Sequence, residues 1–511
     1  MSRDSPKSRS VLEMSAAEAR EYFLKSQNYF TEPLPPFITF DQLLKELAKI
    51  EPKKLEALID KNYKKIQETS GLNHIIYHNQ DGKYAWRAFQ LINPILYVNL
   101  INLITKESHW QQIKKRFDEL SEKANSIRPL GLPLASRERR IRDRGAEIKN
   151  WIEEVEQETL RLALEYQYLY HTDIAKFYPS IYTHTIAWAL HGREEARKKR
   201  REEILGNLID RNIRHMQEGQ SNGIPIGSAL MNLIAEIILR WADSLVQEEA
   251  RNNGVSDFLI LRYRDDYRIF VNREHDGDKL LKVISEVLRK LGLYLNERKT
   301  DGPLSPIEGA LKPDKIAWLQ RDRRYRNLQK RLLLIYEHSL EFPNGGSLVG
   351  ALIKVLRQVE KSKNFCTDPE TCVGILTEIA FKNPRVFHLC ISIISQVIQR
   401  MIDQGQKSQA CDMVALIGKR LEMMSNSEYA EIWYKSLLLL CKCNFNHRES
   451  ICKIVDEENA TLWKMDWIGD SDEEISAICQ KIPQIIINEK YINRLRPIVV
   501  SDVSVFDAYP L

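Results

Sequence analysis

Three short patterns in the middle third of the sequence hold residues that could do chemistry. The first, Tyr170-His171-Thr172-Asp173-Ile174-Ala175-Lys176-Phe177-Tyr178-Pro179-Ser180-Ile181, reads as a strand with alternating aromatics that ends at Asp173 and turns tightly. A carboxylate fixed at a strand end is a rigid oxygen ligand of the kind Mg²⁺ takes, although an Asp after a strand is also a common helix cap. Tyr178 follows five residues later, where its ring could wall the same pocket. The second pattern runs from Leu259 to Val271 and sets Arg264-Asp265-Asp266 between two apolar half-strands, a β-hairpin with paired carboxylates at its tip. Adjacent Asp side chains repel one another unless a cation neutralises them. A solvated turn is the bland alternative, but such a turn has no need of aromatics on both sides. The third, Asn222-Gly223-Ile224-Pro225-Ile226-Gly227-Ser228 and onward to Glu236, uses two Gly and a Pro to open a long apolar helix. Bare backbone there could approach a ligand closely, or simply begin an ordinary helix.

Taken together the patterns are more specific than any one of them. Asp173 and Asp265 are 92 residues apart, which leaves room for a crossover and the Gly-Pro segment between two neighbouring strands. Carboxylates on adjacent strands can bind two Mg²⁺ about 3.5–4 Å apart, one activating a hydroxyl and the other neutralising phosphate charge. That chemistry is nucleotidyl transfer.

In this order the motifs resemble those of reverse transcriptases: motif A at Asp173 to Ser180, motif B at Gly223 to Glu236, and motif C at Tyr263 to Asp266. Leu291 to Thr300 (LGLYLNERKT) resembles motif D and supplies Lys299. Within the superfamily, Phe177 to Gly192 (FYPSIYTHTIAWALHG) and the helical last third resemble the bacterial abortive-infection and defence-associated (unknown-group) reverse transcriptases. The resemblance implies Asp173, Asp265 and Asp266 as catalytic carboxylates, with the Ile174 carbonyl also facing a metal, and two Mg²⁺, or Mn²⁺ in their place, as cofactors. It implies Tyr178 as an aromatic gate that favours dNTPs, and Gly223, Pro225 and Gly227 as the floor under template and nucleotide. Lys299 would stabilise pyrophosphate or else be a solvated lysine. Arg264 stands where many members have Ala, Val or Met, and Met231 where motif B often carries Ser.

Fingers-type contacts are expected from Arg87 and Arg128 to the triphosphate, and from Arg137, Arg139, Arg140, Arg142 and Arg144 to nucleic acid. RERRIRDR (Arg137 to Arg144) has a local charge of +3, which suits phosphate contact or a charged helix face equally. Arg323, Arg324 and Arg326, in the basic-aromatic run RDRRYRNLQKR, sit where a primer-holding thumb is expected. His171, His184 and His191 lack metal-ligand spacing and read as packing or capping residues.

The elements that must position these groups fit in a multidomain chain of 511 residues. With 43% apolar and 28% charged residues and only 21 Gly and 19 Pro, it is neither disordered nor collagen-like. The net charge of +5 is too mild to demonstrate a nucleic-acid partner. The fold expected is α+β: right-hand polymerase fingers and palm, an antiparallel sheet with helices, then an all-α, helical-repeat-like C-terminal domain. The boundaries are 1–80 for an N-terminal helical extension, 81–320 for fingers and palm, and 321–511 for the thumb-like or HEAT-like helical region. Gly82 to Trp110 reads as a turn and then a helix, and Arg385 to Ile402 as an amphipathic helix. No fixed-period repeat is visible, so the last third is a stack of helical hairpins or an irregular bundle.

All eight Cys lie in that last third without C-x-x-C spacing, and read as reduced, mostly buried small hydrophobes. MSRDSPKSRSV lacks the apolar core of a signal peptide, and no stretch approaches a membrane span, so a cytoplasmic protein without a membrane partner is expected. The function expected is RNA-directed DNA polymerisation in antiphage defence, with dNTPs, an RNA template (a noncoding RNA among the candidates), a DNA product and a homo-oligomer. The product could be templated, non-templated or repetitive. An RNA-dependent RNA polymerase and an inactive polymerase-fold scaffold are the alternatives.

Overall fold

The computed structural model describes residues 8–79, 86–138, 142–200, 202–321, 327–362, 368–457, 459–469 and 472–503. Its strands are β1 (Ser8–Ser10), β2 (His74–Asn79), β3 (Trp86–Leu91), β4 (Ile127–Pro129), β5 (Leu134–Ser136), β6 (Tyr168–Asp173), β7 (Phe258–Tyr263), β8 (Asp266–Val271) and β9 (Asp301–Leu304). β1 pairs with β5 and β2 with β3, while the other five form one sheet ordered β4-β7-β8-β6-β9. Only β4–β7 is parallel; β7–β8, β8–β6 and β6–β9 are antiparallel.

Period-2 alternation explains how this sheet is covered on both faces. Leu169, Leu259, Leu261 and Phe270 point to one face, where they pack with Leu162. Tyr170, Ile260, Tyr267, Ile269 and Val271 point to the other and join the main core. The helix Ala229–Asn252 belongs to that core; Ser228 caps it by accepting from the Met231 amide at 3.2 Å. The α+β expectation holds, with helices making up the C-terminal region.

One local reading changes. Gly82 to Trp110 is not a turn leading directly into a helix, because Trp86–Leu91 is strand β3 and the helix begins only at Pro94. The WRAFQL segment alternates in burial and pairs with β2, and Asn93 caps the helix through the Ile95 amide. Pairing across the chain overrode the helical context of the next segment. Strands β2 and β3, on either side of residue 80, pair with each other antiparallel.

The helical region is packed against the rest of the chain. Trp433 Nε1 and the Tyr429 hydroxyl both donate to the Pro33 carbonyl, at 3.2 and 3.0 Å. Trp463 Nε1 donates to the Leu91 carbonyl at 2.9 Å, and His74 lies 2.9 Å from Glu449. Pro384–Asp403 is long and apolar enough to cross a membrane, contrary to expectation, since its Ser, Gln and Cys barely dilute the Ile and Val. However, 78% of the qualifying window is buried, as befits a core helix ringed by others.

Candidate active site

The antiparallel register of β6 and β8 sets Asp173 directly opposite Asp266, and that of β7 and β8 sets Tyr263 opposite Asp266. Arg264 and Asp265 form the two-residue turn between β7 and β8, with Arg264 at a positive φ of 55°. Such turns favour Asn or Gly, so a bulky cation here needs outside support. Arg264 gets it from Glu147, whose Oε2 accepts at 3.0 Å, and from the Tyr263 ring. The Ile174 amide donates to the Asp265 carbonyl at 3.1 Å, which fastens the first motif to the hairpin tip.

Beneath the hairpin lies a buried ionic cluster. Arg262, with no exposed side-chain surface, donates to Glu236 at 3.1 Å and to Asp243 at 2.8 Å. Arg240 approaches the same Asp243 and donates to the Ile127 carbonyl. The cluster clamps the Ala229–Asn252 helix to β7 and so ties motif B to motif C. A buried pair of this kind is weak evidence of net stability, but losing one partner strands a charge. Sequence reading passed over Arg262 and Asp243; the signal was charge inside an otherwise apolar strand and helix.

The electrostatics of the carboxylates suit a cation. Asp265 is pushed up to about 6, first by burial and then by Asp266. Asp266, at the open edge of the cleft, is raised by desolvation and Asp173, against Lys312, Lys299 and Arg268. Asp173 is 4% exposed, and its Oδ1 is buried without a hydrogen-bond partner. Its Oδ2 is held by Lys299, whose pKa burial would lower but this contact raises. An orphaned carboxylate oxygen among hard oxygen donors fits Mg²⁺ or Mn²⁺.

Motif B closes the site from the other side. The Gly223 amide, at φ 87°, donates to the Ile181 carbonyl, and the Ile224 amide donates to the Tyr178 carbonyl. A Cβ on Gly223 would stand 3.2 Å from the Pro179 carbonyl oxygen, which accounts for the glycine. Gly227, at φ 123°, lies against the rings of Phe30 and Phe89, and its carbonyl accepts from the Thr31 amide. Pro225 is buried between them. The Tyr178 hydroxyl donates to Asn232 Oδ1 at 2.7 Å, a partner the sequence did not suggest.

A cleft of about 400 Å³ runs from Asp266 and Arg264 to the helical region, where it is lined by Lys354, Arg385 and His388. A neighbouring cavity of about 270 Å³ holds Asp173, Asp266, Lys299 and Lys312. Of the expected basic contacts, Arg144 lines the cleft, 3.5 Å from Glu147. Arg128 is instead ion-paired with Glu158 at 3.0 Å on the far edge strand β4. Arg87 is exposed on β3 over the Phe89 ring, beside Gly227. Arg137 and Arg142 are exposed around the Asp143–Trp151 helix. Arg139, Arg140, Arg323, Arg324 and Arg326 lie outside the described residues. His171, His184 and His191 bond to the Gly309 carbonyl, Asp210 and the Gly206 amide, as packing residues would.

Residues 111–320 match the family model described as reverse transcriptase (RNA-dependent DNA polymerase). Apo telomerase from Candida tropicalis aligns at 12% identity over 70% of this chain and 64% of its own, with a TM-score of 0.30. Telomerase from Candida albicans in complex with a TWJ fragment of telomeric RNA aligns at 12% identity over 68% and 65%, with a TM-score of 0.29. This chain thus spans just under two thirds of the telomerase chains it aligns with. No curated protein matches it by sequence.

Proposed function

We propose that this chain, whose residues 111–320 match the reverse transcriptase family model, is an RNA-directed DNA polymerase working by two-metal nucleotidyl transfer. The observation that carries the reading is the β6–β8 register, which sets Asp173 against Asp266 with Asp265 on the adjoining turn. Asp173, Asp265, Asp266 and the Ile174 carbonyl would hold two Mg²⁺, which when bound acidify a hydroxyl and offset phosphate charge. In the transfer, the primer 3′-oxygen bonds to the α-phosphorus as the bond to the β-phosphate oxygen breaks and pyrophosphate leaves.

The chain's own residues position the reactants. Lys299 is 67% exposed on a side chain long enough to swing from Asp173 to the leaving pyrophosphate. Tyr178, tethered by Asn232, presents a ring that cannot easily retreat from a 2′-hydroxyl. Gly223, Pro225 and Gly227 form the floor. Arg144, Lys312, Lys354 and Arg385 give the cleft the positive lining a nucleic-acid backbone needs.

The finer assignments rest on the resemblance of the motifs and helical third to defence-associated reverse transcriptases: an antiphage role, a noncoding RNA template, non-templated or repetitive product, and a homo-oligomer. The test is incorporation of labelled dNTPs and rNTPs on an RNA template with a DNA primer. The reading expects dNTP incorporation, abolished in Asp265→Ala/Asp266→Ala. rNTP preference would instead assign an RNA polymerase, and no incorporation of either an inactive scaffold. Plating phage on cells expressing wild type or the double variant tests the defence role.

A further inference from the structure

Outside the polymerase site, three cysteines, two on neighbouring helices and one just past the end of the second, meet at one place. Cys411 lies on the helix Lys407–Glu422; Cys441 ends the helix Glu428–Cys441, and Cys443 follows two residues later. Lys442, at φ 56°, turns the chain left-handed, and the Cys443 amide donates back to the Leu438 carbonyl at 3.0 Å. Residues i and i+2 across this turn thereby face the same neighbour. The three Sγ atoms all lie within 4.8 Å of one another. None is in a disulfide, and Cys411 and Cys443 are only half-buried, so an ion from solvent can reach them.

We propose that Cys411, Cys441 and Cys443 form a structural Zn²⁺ site, with a water or small anion as the fourth ligand. Three thiolates are soft donors that select Zn²⁺ over the Mg²⁺ of a carboxylate site. Zn–S bonds of about 2.3 Å in tetrahedral geometry set the sulfurs about 3.8 Å apart, so these need close by no more than roughly 1 Å. No further His, Cys or carboxylate among the described residues completes the group, which is why the fourth position is exogenous. Binding exchanges three S–H bonds for three Zn–S bonds and releases three protons. Lys407, near Cys443, partly offsets the net negative charge of three thiolates on one Zn²⁺.

The site would staple the end of the helix Glu428–Cys441 to its neighbour. That helix holds Pro33 through Tyr429 and Trp433, and Thr31, two residues earlier, bonds to Gly227 of motif B. The staple thus stabilises the platform behind the polymerase site while touching none of its residues.

The test is anaerobic titration of the reduced full-length protein with Co²⁺. Sulfur-to-cobalt charge-transfer bands and tetrahedral ligand-field bands are expected at one Co²⁺ per chain, bleached by one equivalent of Zn²⁺. Any Co²⁺ bound by carboxylates lacks the charge-transfer bands. C443S, at a half-exposed position, should lose the bands, whereas C479S should keep them. A chelator should lower the Tm of the zinc-loaded wild type and leave that of C443S unmoved. Absence of the bands in the wild type, their retention in C443S, or an intramolecular disulfide among these cysteines in the freshly reduced protein would overturn the proposal.

Discussion

Gly131 lies directly beneath the turn that carries Asp265, and replacing it with Ala tests whether that turn sets the rate. A Cβ there would stand 2.6 Å from the Arg264 amide nitrogen and 2.3 Å from Glu236 Oε1. The backbone at Gly131 is not left-handed, so the added cost is contact alone. Glu236 cannot give way, since Arg262 holds both its oxygens. Ordinary contact begins near 3.4 Å, so the Arg264 amide must withdraw by about 0.8 Å, carrying Asp265 with it. Overpacking of this kind costs about 1–3 kcal/mol of stability. A displacement approaching 1 Å in a reacting constellation costs about 10²-fold in rate. Primer extension should therefore show kcat down by about two orders of magnitude, with KM for dNTP changing less and Tm falling only modestly. A Gly131→Ala enzyme with wild-type kcat would refute the idea that the hairpin tip is held in a tight vertical stack over this glycine.

Further outcomes follow from the same contacts. Arg262→Met leaves Glu236 buried without its partner and Asp243 with only the 3.5 Å contact to Arg240, which should lower stability by about 3–5 kcal/mol in denaturant unfolding. A milder loss in Arg262→Met/Glu236→Gln/Asp243→Asn would identify stranded charge as the cause. Asn232→Ala removes the tether on the Tyr178 hydroxyl, a hydrogen bond worth about 1 kcal/mol, so discrimination against rNTPs should fall roughly fivefold. Selectivity unchanged in that variant would mean the ring is held by packing alone. His215, 5% exposed, is pushed down to about 4 by burial, with Arg211 and Arg214 adding to the shift. Between its unfolded value near 6.5 and that lower value, the unfolded chain binds more protons, so about 3 kcal/mol present above pH 6.5 is lost towards pH 4. Urea midpoints at pH 7.5 and 5 should diverge less in His215→Leu than in the wild type.

What the sequence made legible was local. The Asp173 strand, the Arg264-Asp265-Asp266 hairpin and the Gly-Pro opening of a long helix each announce themselves within about a dozen residues, because period-2 alternation and turn chemistry are short-range signals. The partners of those residues were not legible. Arg262 finds Glu236 and Asp243 across 26 and 19 residues, and Glu147 reaches Arg264 across 117. No local pattern encodes such meetings; only the docking of helix on sheet creates them. Strand β3 was misread for the same reason, since its identity depends on pairing with β2. The cysteines were read one by one as small hydrophobes, and their convergence at Cys411, Cys441 and Cys443 appears only when the two helices are brought side by side.

The central claim is that Asp173, Asp265 and Asp266 form one polymerising centre. The most direct measurement is to purify the full-length wild type and the Asp265→Asn/Asp266→Asn variant side by side. Each is supplied with Mg²⁺, labelled dNTPs and an RNA template, and the DNA made or copurified is sequenced. DNA from the wild type alone, at matched folding and RNA binding, is the result expected. DNA of equal yield and sequence from the double variant would contradict the account.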